Sequence, residues 1–214
     1  MPDCKEIRVN TVPAYTAIIG PSLLKKCGQL LRKAISPCHM AVVTDSAVGP
    51  LYLETVTESL KTAGYEASAY EFPAGEEHKN MTTLSAILEF LAKEHLTRTD
   101  CLIALGGGVA GDMAGFAAAC YLRGIRYVQM PTTLLAAVDS SVGGKTAIDL
   151  RAGKNLAGAF LQPAAVLCDT ECLNTLPQPV LADGAAEAVK TGVLCGESLF
   201  ALFEDGTLKA DPAE

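Results

Sequence analysis

The chain has 214 residues, of which 50% are hydrophobic and 19% are charged, so it is long and apolar enough to fold around a buried core. Its formal net charge of −7 disfavours nucleic acid and anionic membrane surfaces as partners. No apolar run reaches the roughly eighteen residues of a membrane helix, and the first residues lack the pattern of a signal peptide. The eight cysteines are scattered, without a Cys-x-x-Cys pair, which predicts free thiols in a cytoplasmic protein.

The apolar pattern predicts strands that alternate with helices along most of the chain. The predicted strands are residues 14–20, 40–43, 67–72, 101–105, 126–130 and 165–168. The predicted helices between them are residues 23–34, 53–63, 82–96 and 109–122. This alternation is typical of the α/β class, with a doubly wound, mostly parallel, Rossmann-like sheet.

The pattern changes after Pro177, where residues 181–194 and 198–204 both look helical and no strand lies between them. We therefore expect an α/β domain over residues 1–177 and the start of an all-α second domain over residues 178–214. That second stretch is too short to form a core of its own.

A glycine-rich motif is predicted between the strand at 101–105 and the helix that follows it. Residues 106–111 read Gly-Gly-Gly-Val-Ala-Gly, which matches Gly-x-Gly-x-x-Gly. Glycine lets the backbone approach a pyrophosphate, and a helix N-terminus supplies N–H donors. The motif follows a late strand, and no acid lies about twenty residues further on to hold a ribose. Asp45, at the end of an earlier strand, could serve instead. The motif indicates a nucleotide site, and the alternative is a tight turn with small residues.

A second segment, residues 139–155, gathers two acids, three hydroxyls, a Gly-Gly pair, three cations and an amide. We expect it to form a loop that suits a polyanionic ligand. Its Gly-Gly-Lys-Thr sequence invites comparison with the phosphate loop of ATPases. However, the phosphate-loop motif requires a glycine five residues before Gly144, and this position is Asp139. The residues that precede it, 133–138, look helical and not strand-like, so an ATPase loop is not expected. Two anion-binding segments predict a nucleotide held beside a phosphorylated substrate.

Other charged residues are ambiguous when taken alone. Glu76 and Lys79 follow a Pro-Ala-Gly turn, which is more typical of a solvated loop than of a site. Arg123 precedes a glycine and could bind a phosphate or cap a helix. Glu187 and Lys190 are three residues apart on a predicted helix, where a surface ion pair is the usual outcome. Their small neighbours suit a helix pressed against a ligand or another element. The three histidines show no spacing typical of zinc ligands.

Taken together, these segments resemble the 3-dehydroquinate synthase family of sugar-phosphate cyclases, from near residue 14 to about residue 195. The matching stretches are residues 73–79, 106–116, 121–124, 129–136, 138–146, 154–163, 175–177 and 186–192. Residues 139–146 and 187–192 are the specific motifs, and their order and spacing reinforce each other.

The resemblance implies a phosphate-eliminating carbon–oxygen lyase of the shikimate pathway to aromatic amino acids. Such enzymes use NAD and a divalent metal, usually zinc, to convert 3-deoxy-D-arabino-heptulosonate 7-phosphate to 3-dehydroquinate and phosphate. The cofactor-binding residues would be Asp45, Glu76, Lys79, Gly108, Val109, Gly111, Asp112, Thr132, Thr133, Lys145, Lys154, Cys172 and Thr175. The catalytic and substrate-binding residues would be Lys145, Asn155, Asp139, Lys190 and Arg123. Glu187 would bind the metal, and Arg123 would reach a phosphate across a homodimer interface.

The resemblance is incomplete after Glu187. The family has two metal-binding histidines and further basic residues in its helical domain, and this sequence does not contain them. We therefore expect the 214-residue chain alone not to turn over. Two alternatives remain open: a related sugar-phosphate cyclase that makes another carbocycle, and a non-catalytic NAD-binding fragment. A metal-dependent alcohol dehydrogenase of similar fold would not account for residues 139–146.

Overall fold

The structure, a computed structural model, describes residues 4–196, 200, 201 and 203. Its strands are β1 Lys5–Val9, β2 Tyr15–Gly20, β3 His39–Asp45, β4 Glu66–Phe72, β5 Cys101–Gly106, β6 Arg126–Pro131, β7 Lys145–Leu150, β8 Gly153–Phe160 and β9 Ala165–Asp169. Its α-helices are α1 Cys27–Leu31, α2 Gly49–Thr62, α3 Met81–Lys93, α4 Gly108–Cys120 and α5 Gln178–Cys195. Short 3-10 turns cover Leu24–Lys26, Glu76–His78, Tyr121–Arg123 and Thr170–Thr175, and Ala136–Ser140 forms a π-helical turn.

Seven strands form one sheet in the order β1-β2-β9-β6-β5-β3-β4. The pairs from β2 to β4 are parallel, and β1 pairs antiparallel with β2 at the edge. The predicted α/β class and all of the predicted strands are confirmed. Strand β1 was not predicted, because its Lys-Glu-Ile-Arg-Val sequence is mostly exposed and charged, which is typical of a protected edge strand.

Helices cover both faces of the sheet. The central strands are buried on both sides, so consecutive side chains enter different layers. In β5, Ile103 packs in the layer that contains α1 and α2, whereas Leu102 packs in the layer that contains α3 and α4. Helix α4 lies close to its neighbours through small residues, because a Cβ on Gly115 would come within 2.4 Å of Thr146.

Three predicted helices end earlier than expected, and the backbone gives the reasons. The helix predicted over residues 109–122 ends at Cys120 because Leu122, Arg123 and Gly124 have φ angles of 50°, 68° and 118°. The helix predicted over residues 82–96 ends at Lys93, and His95 has a φ of 56°. The helix predicted over residues 23–34 divides into a 3-10 turn and the short α1.

The expectation of a loop over residues 139–155 was wrong for most of that segment. Strands β7 and β8 form a separate antiparallel hairpin that packs on α4. The buried Thr146 and Ile148 alternate with more exposed residues along β7, as one face of a strand requires. This alternation is present in the sequence, but it is short and lies among glycine and lysine residues, which are typical of a loop.

The strand order reverses between β3 and β5. From β3 the chain continues to β4 at the edge, and then crosses over to β5, β6 and β9 on the other side. Such a reversal opens a crevice at the carboxyl ends of the two strands, where ligands of doubly wound sheets bind. Asp45 ends β3 and Gly106 ends β5, so both lie at this crevice.

Helix α5 follows the last strand of the sheet and packs on the turn at 136–140. A Cβ on Gly184 would lie 2.5 Å from the backbone nitrogen of Leu135, so the small residues of α5 permit contact with another element. The helix predicted over residues 198–204 lies largely outside the described residues. Within the described part of the chain, no helix is long and apolar enough to cross a bilayer.

Candidate cofactor and substrate site

Asp45 is held at the reversal crevice by the start of α2. Its Oδ1 accepts hydrogen bonds from the backbone N–H groups of Ala47 and Val48, at 2.9 and 3.1 Å. Its Oδ2 lies 3.5 Å from the position that a Cβ on Gly106 would take. One carboxylate oxygen therefore fixes the turn, and the other faces the glycine motif.

The first three glycines of this motif leave space that side chains would fill. A Cβ on Gly106 would lie 2.6 Å from the Cβ of Ala110, and the φ of Gly106 is 155°. A Cβ on Gly107 would lie 3.2 Å from Thr133 Cγ2, and one on Gly108 would lie 3.3 Å from Ser140 Oγ. Because α4 begins at Gly108, its first N–H groups border the same space. These features suit the close approach of a pyrophosphate.

Two threonine hydroxyls at the carboxyl edge of the sheet are buried without a hydrogen-bond partner among the described residues. They are Thr44 Oγ1 and Thr132 Oγ1, and the two residues are 0% and 3% exposed. Thr132 also donates its backbone N–H to the carbonyl of Gly106 at 3.0 Å, so it is fixed beside the glycine motif. A buried hydroxyl without a protein partner is uncommon, and these two hydroxyls are free to hydrogen-bond a group that enters the crevice. Thr133 instead uses its Oγ1 to accept from the N–H of Ala136 at 3.2 Å.

The turn after β9 forms another wall of the crevice. The hydroxyl of Tyr52 in α2 hydrogen-bonds to Thr175 Oγ1, which in turn donates to the carbonyl of Cys172 at 2.9 Å. Cys172 is 1% exposed, so a ligand at this wall would reach its backbone rather than its thiol. Tyr52 was not predicted as a site residue, because its place opposite Thr175 depends on the packing of α2.

Lys79 links three elements inside the fold. Its Nζ lies 2.6 Å from Asp112 Oδ2 in α4 and donates to Asn155 Oδ1 in β8, also at 2.6 Å. Burial raises the pKa of the Asp112 carboxyl, and the Lys79 ammonium opposes that rise. The structure thus brings three predicted site residues together, although the sequence separates Lys79 from Asn155 by 76 positions.

A cavity of about 470 Å³ opens beside this network. It is bounded by α4, the π-helical turn and the hairpin, and its lining residues are Asp112, Asp139, Ser140, Lys145, Thr146, Ala147, Asn155, Leu156, Gly158, Ala159 and Phe160. Lys145 Nζ lies 2.8 Å from Asp139 Oδ1, and both side chains are partly exposed to solvent. An anionic ligand could replace the Asp139 carboxylate as the partner of this ammonium.

A β-bulge in the hairpin directs Lys154 and Asn155 to different partners. Ile148 pairs with Ala157 and Leu150 pairs with Gly153, so β8 carries extra residues between these pairs. Bulges of this kind change the direction of side chains next to binding sites. Lys154 Nζ donates to Glu76 Oε1 at 3.0 Å, whereas Asn155 reaches Lys79. The hydrogen bond to Glu76 raises the pKa of Lys154.

Three predicted residues, Arg123, Glu187 and Lys190, do not line this cavity. Arg123 is exposed after the far end of α4, at the opposite edge of the sheet from the glycine motif. Glu187 and Lys190 form an ion pair on α5, as their spacing predicts. This hydrogen bond raises the pKa of Lys190, and the nearby Asp139 carboxylate adds to the effect. Among the described residues, no three His, Cys, Asp or Glu side chains are grouped to bind a metal.

A second, larger cavity is not the candidate site. It measures about 780 Å³ and lies at the amino edge of the sheet, between β2, α1 and the start of β6. Its charged residues include Arg8 and Arg126, and the predicted site residues are absent from its lining. The smaller cavity at the carboxyl edge is the candidate site because the predicted residues converge there.

Sequence relatives point to one family. Residues 69–183 match the family described as 3-dehydroquinate synthase N-terminal. The 3-dehydroquinate synthase of Geobacter metallireducens is 51% identical over 191 residues, which make up 89% of this chain and 53% of the relative. The chain therefore spans about half the length of the curated relatives it matches.

Solved structures of related cyclases share the fold. A 2-deoxy-scyllo-inosose synthase complexed with carbaglucose-6-phosphate, NAD+ and Co2+ has a TM-score of 0.81 and 27% identity, over 87% of this chain and 51% of that one. The 2-epi-5-epi-valiolone synthase of Streptomyces hygroscopicus, with NAD+ and Zn2+ bound, has a TM-score of 0.76 and 31% identity, over 83% and 49%. Since the family match extends from β4 into α5 and covers more than half of the sequence, the chain belongs to the 3-dehydroquinate synthase family.

Proposed function

We propose that this chain provides the cofactor-binding α/β domain of a 3-dehydroquinate synthase, a lyase that releases phosphate from a seven-carbon keto acid phosphate. One observation carries the proposal: the glycine motif at the reversal crevice lies next to a cavity lined by Lys145, a cation that suits a phosphorylated substrate. The 51% identity to a 3-dehydroquinate synthase, against 27% and 31% to the two other cyclases, favours this substrate over theirs.

NAD fits the crevice. The space left by Gly106 to Gly108 would take the pyrophosphate, and the N–H groups at the start of α4 would contact it. Asp45 would hold the adenosine ribose through Oδ2, and Thr132 would gain the partner that its buried hydroxyl lacks. Bound there, NAD would supply reversible oxidation of a substrate alcohol. Lys79 and Asp112 would orient its reactive end, and Glu76 would close over it.

The substrate would occupy the 470 Å³ cavity. Lys145 would exchange its Asp139 partner for a substrate anion, and Lys154 would do the same with Glu76. Asn155 would donate its amide N–H to the substrate while its Oδ1 stays with Lys79. Because the cavity lies beside α4, these contacts would place the substrate next to the cofactor.

The described residues do not fit a metal by themselves. We assign Glu187 as one ligand of a divalent ion, zinc by family resemblance, and derive no step through it. Glu187 would first have to release Lys190, which would then be available for a substrate carboxylate.

We also propose that residues 1–177 and 178–214 belong to two domains, and that the enzyme is a homodimer. Helix α5 follows the last strand, and its buried residues are only two glycines among those described. Arg123 follows the last residue of α4, whereas Asp112 of the cavity lies near the start of that helix, and Arg123 does not line the cavity of its own chain. A dimer in which Arg123 of a second copy enters the cavity would give this residue a role.

Calorimetric titration of the 214-residue chain with NAD tests the cofactor site. Asp45→Asn retains an oxygen to accept from Ala47 and Val48 but removes the charge, so we expect near-native stability and at least about tenfold weaker binding, equivalent to ~1.4 kcal/mol. Asp169→Asn is the matched control, because Asp169 ends β9 and accepts from Leu24 and Glu171 with both oxygens. It should retain NAD affinity even if stability falls. Native affinity in Asp45→Asn, or no binding by the unaltered chain, would contradict the assignment.

A further inference from the structure

Three hydrogen bonds join Asp149, Asn155 and Lys79 in a closed ring. The Asp149 backbone N–H donates to the carbonyl of Lys79 at 2.8 Å. The Asn155 backbone N–H donates to Asp149 Oδ1 at 2.7 Å. The Lys79 ammonium completes the ring by donating to Asn155 Oδ1 at 2.6 Å. The ring attaches the hairpin to the segment that follows β4.

Asn155 needs this support because of its backbone conformation. Its φ of 56° lies in the left-handed region, which asparagine enters more readily than most residues but which is still uncommon in a strand. The bulge in β8 leaves its N–H outside the regular ladder, and the Asp149 carboxylate accepts that N–H instead. If Asn155 relaxed to ordinary strand geometry, its side chain would point to another face and leave Lys79.

Asp149 itself is turned away from the cavity. The cavity lining includes Asn155 but not Asp149, and the Asp149 carboxylate is directed at the hairpin backbone. Asp149 can therefore affect ligand binding through its two partners in the ring or through its charge near Lys154. Asp149→Asn separates the two effects, because it keeps an acceptor oxygen and removes the charge. The ammonium of Lys79 is already committed to Asp112, so losing Asn155 would leave it with an incomplete set of acceptors in a buried place.

We propose that Asp149 is a positioning residue, which holds Asn155 in its left-handed conformation and thereby keeps the Lys79 ammonium in place for the cofactor. The proposal rests on the proposed function of Lys79 as an NAD contact. Asp149 is not among the residues that the family resemblance or the sequence motifs single out. Its role comes from the ring alone.

A double-mutant cycle on NAD affinity tests the proposal in the full chain. We expect Asp149→Ala to weaken binding about tenfold, and Asp149→Asn, which keeps an acceptor oxygen, to stay within about threefold of the unaltered chain. Asn155→Ala should weaken binding as much as Asp149→Ala, and the double variant should be no weaker than Asn155→Ala. Glu89→Ala, at an exposed acid on α3, is the matched control for loss of a carboxylate.

The outcomes of this cycle distinguish a failure of the positioning role of Asp149 from a failure of the proposed NAD site. Additive losses in the double variant would show that Asp149 acts by general destabilisation, and native affinity in Asp149→Ala would show that it does not act at all. Either result overturns the positioning role while leaving the cofactor site intact. No NAD binding by the unaltered chain would overturn both.

Hydrogen exchange of the Asn155 amide needs no variant that might fail to fold. In the unaltered chain, this amide should exchange at least about tenfold more slowly than a solvent-exposed amide, because Asp149 accepts its hydrogen. Exchange at the rate of an exposed amide would overturn the proposal. In Asp149→Ala the protection should be lost, and in Asp149→Asn it should be retained.

Discussion

The Lys79 ammonium lies 2.6 Å from Asp112 Oδ2, with side-chain exposed fractions of 6% and 15%. An ion pair this deeply buried is costly to break, because the remaining charge loses both water and its partner. The pair also borders the cavity through Asp112. The same contact therefore contributes to the stability of the fold and to the electrostatics of the candidate site.

Replacing Lys79 with methionine should lower the free energy of unfolding by about 2–4 kcal/mol, because it leaves the Asp112 carboxylate buried without its partner. Lys25→Met is the control, since the ion pair of Lys25 with Glu171 is mostly exposed and should contribute less than about 1 kcal/mol. Urea unfolding of both variants measures the difference. Adding Asp112→Asn to Lys79→Met should recover part of the loss, and equal losses in the Lys79 and Lys25 variants would contradict the prediction.

Asp100 should make stability depend on pH in the acid range. Burial alone would raise the pKa of Asp100, but hydrogen bonds from Thr97 and His39 outweigh it and hold the pKa below its ordinary value of 3.8. A carboxyl group whose pKa is lowered on folding stabilises the protein above its ordinary pKa, and this contribution is lost as the pH falls through the folded value. Asp100→Asn should therefore be less stable than the unaltered chain at pH 7 by about 1–2 kcal/mol, and this difference should shrink below pH 3.8. Thermal unfolding across this range measures the difference, and a constant difference would contradict the assignment.

Much of the site could be predicted because parallel strands bring their carboxyl ends to one edge. Asp45 and Gly106 both follow apolar strands, so a doubly wound sheet places them at the same edge without any knowledge of side-chain packing. The resemblance added Lys79 and Asn155 as separate site residues. Their contact across 76 positions depends on how the hairpin packs on α4, and local periodicity carries no information about that.

The hairpin and Tyr52 show where local patterns failed. Strand β7 has only two buried residues, Thr146 and Ile148, that are typical of one strand face, and β8 has an exposed pattern interrupted by a bulge. Glycine and lysine residues lie at or just before the start of both strands of the hairpin, and they favour the interpretation of this segment as a loop. Tyr52 lies on a helix face like any half-buried aromatic residue, and its contact with Thr175 forms only when α2 meets the turn after β9.

The exposed thiols should react long before the buried ones. Cys120 and Cys195 are exposed, whereas Cys27, Cys101 and Cys168 are buried. Burial raises the pKa of Cys27 to about 11 and that of Cys168 to about 12, so their thiolate fractions at pH 8 are small as well as inaccessible. In native protein, a chromogenic disulfide reagent should modify Cys120 and Cys195 rapidly and the buried thiols only after unfolding. Peptide mapping identifies the modified residues, and early labelling of Cys27 or Cys168 would contradict the buried core.

Alanine substitutions at Gly106 and Gly108 should have different effects on protein stability and on ligand binding. Gly106→Ala places a Cβ 2.6 Å from that of Ala110, on a backbone with a φ of 155°, so it should lower the free energy of unfolding by more than about 1 kcal/mol. The Cβ of Gly108→Ala meets the Ser140 side chain, with Oγ at 3.3 Å and Cβ at 3.7 Å, and it lies at the start of α4, where alanine favours the helix. Its stability should equal or exceed that of the unaltered chain.

The same Gly108→Ala variant should nevertheless bind NAD at least about tenfold more weakly, equivalent to ~1.4 kcal/mol, because its methyl group occupies space that the pyrophosphate needs. Calorimetric titration measures the affinity, and urea unfolding of the same sample measures the stability. Asp45→Asn should show the same combination of near-native stability and weakened binding from the other side of the crevice. If Gly108→Ala binds NAD normally, the pyrophosphate does not lie against the start of α4, and the glycines serve only the close packing of a tight turn.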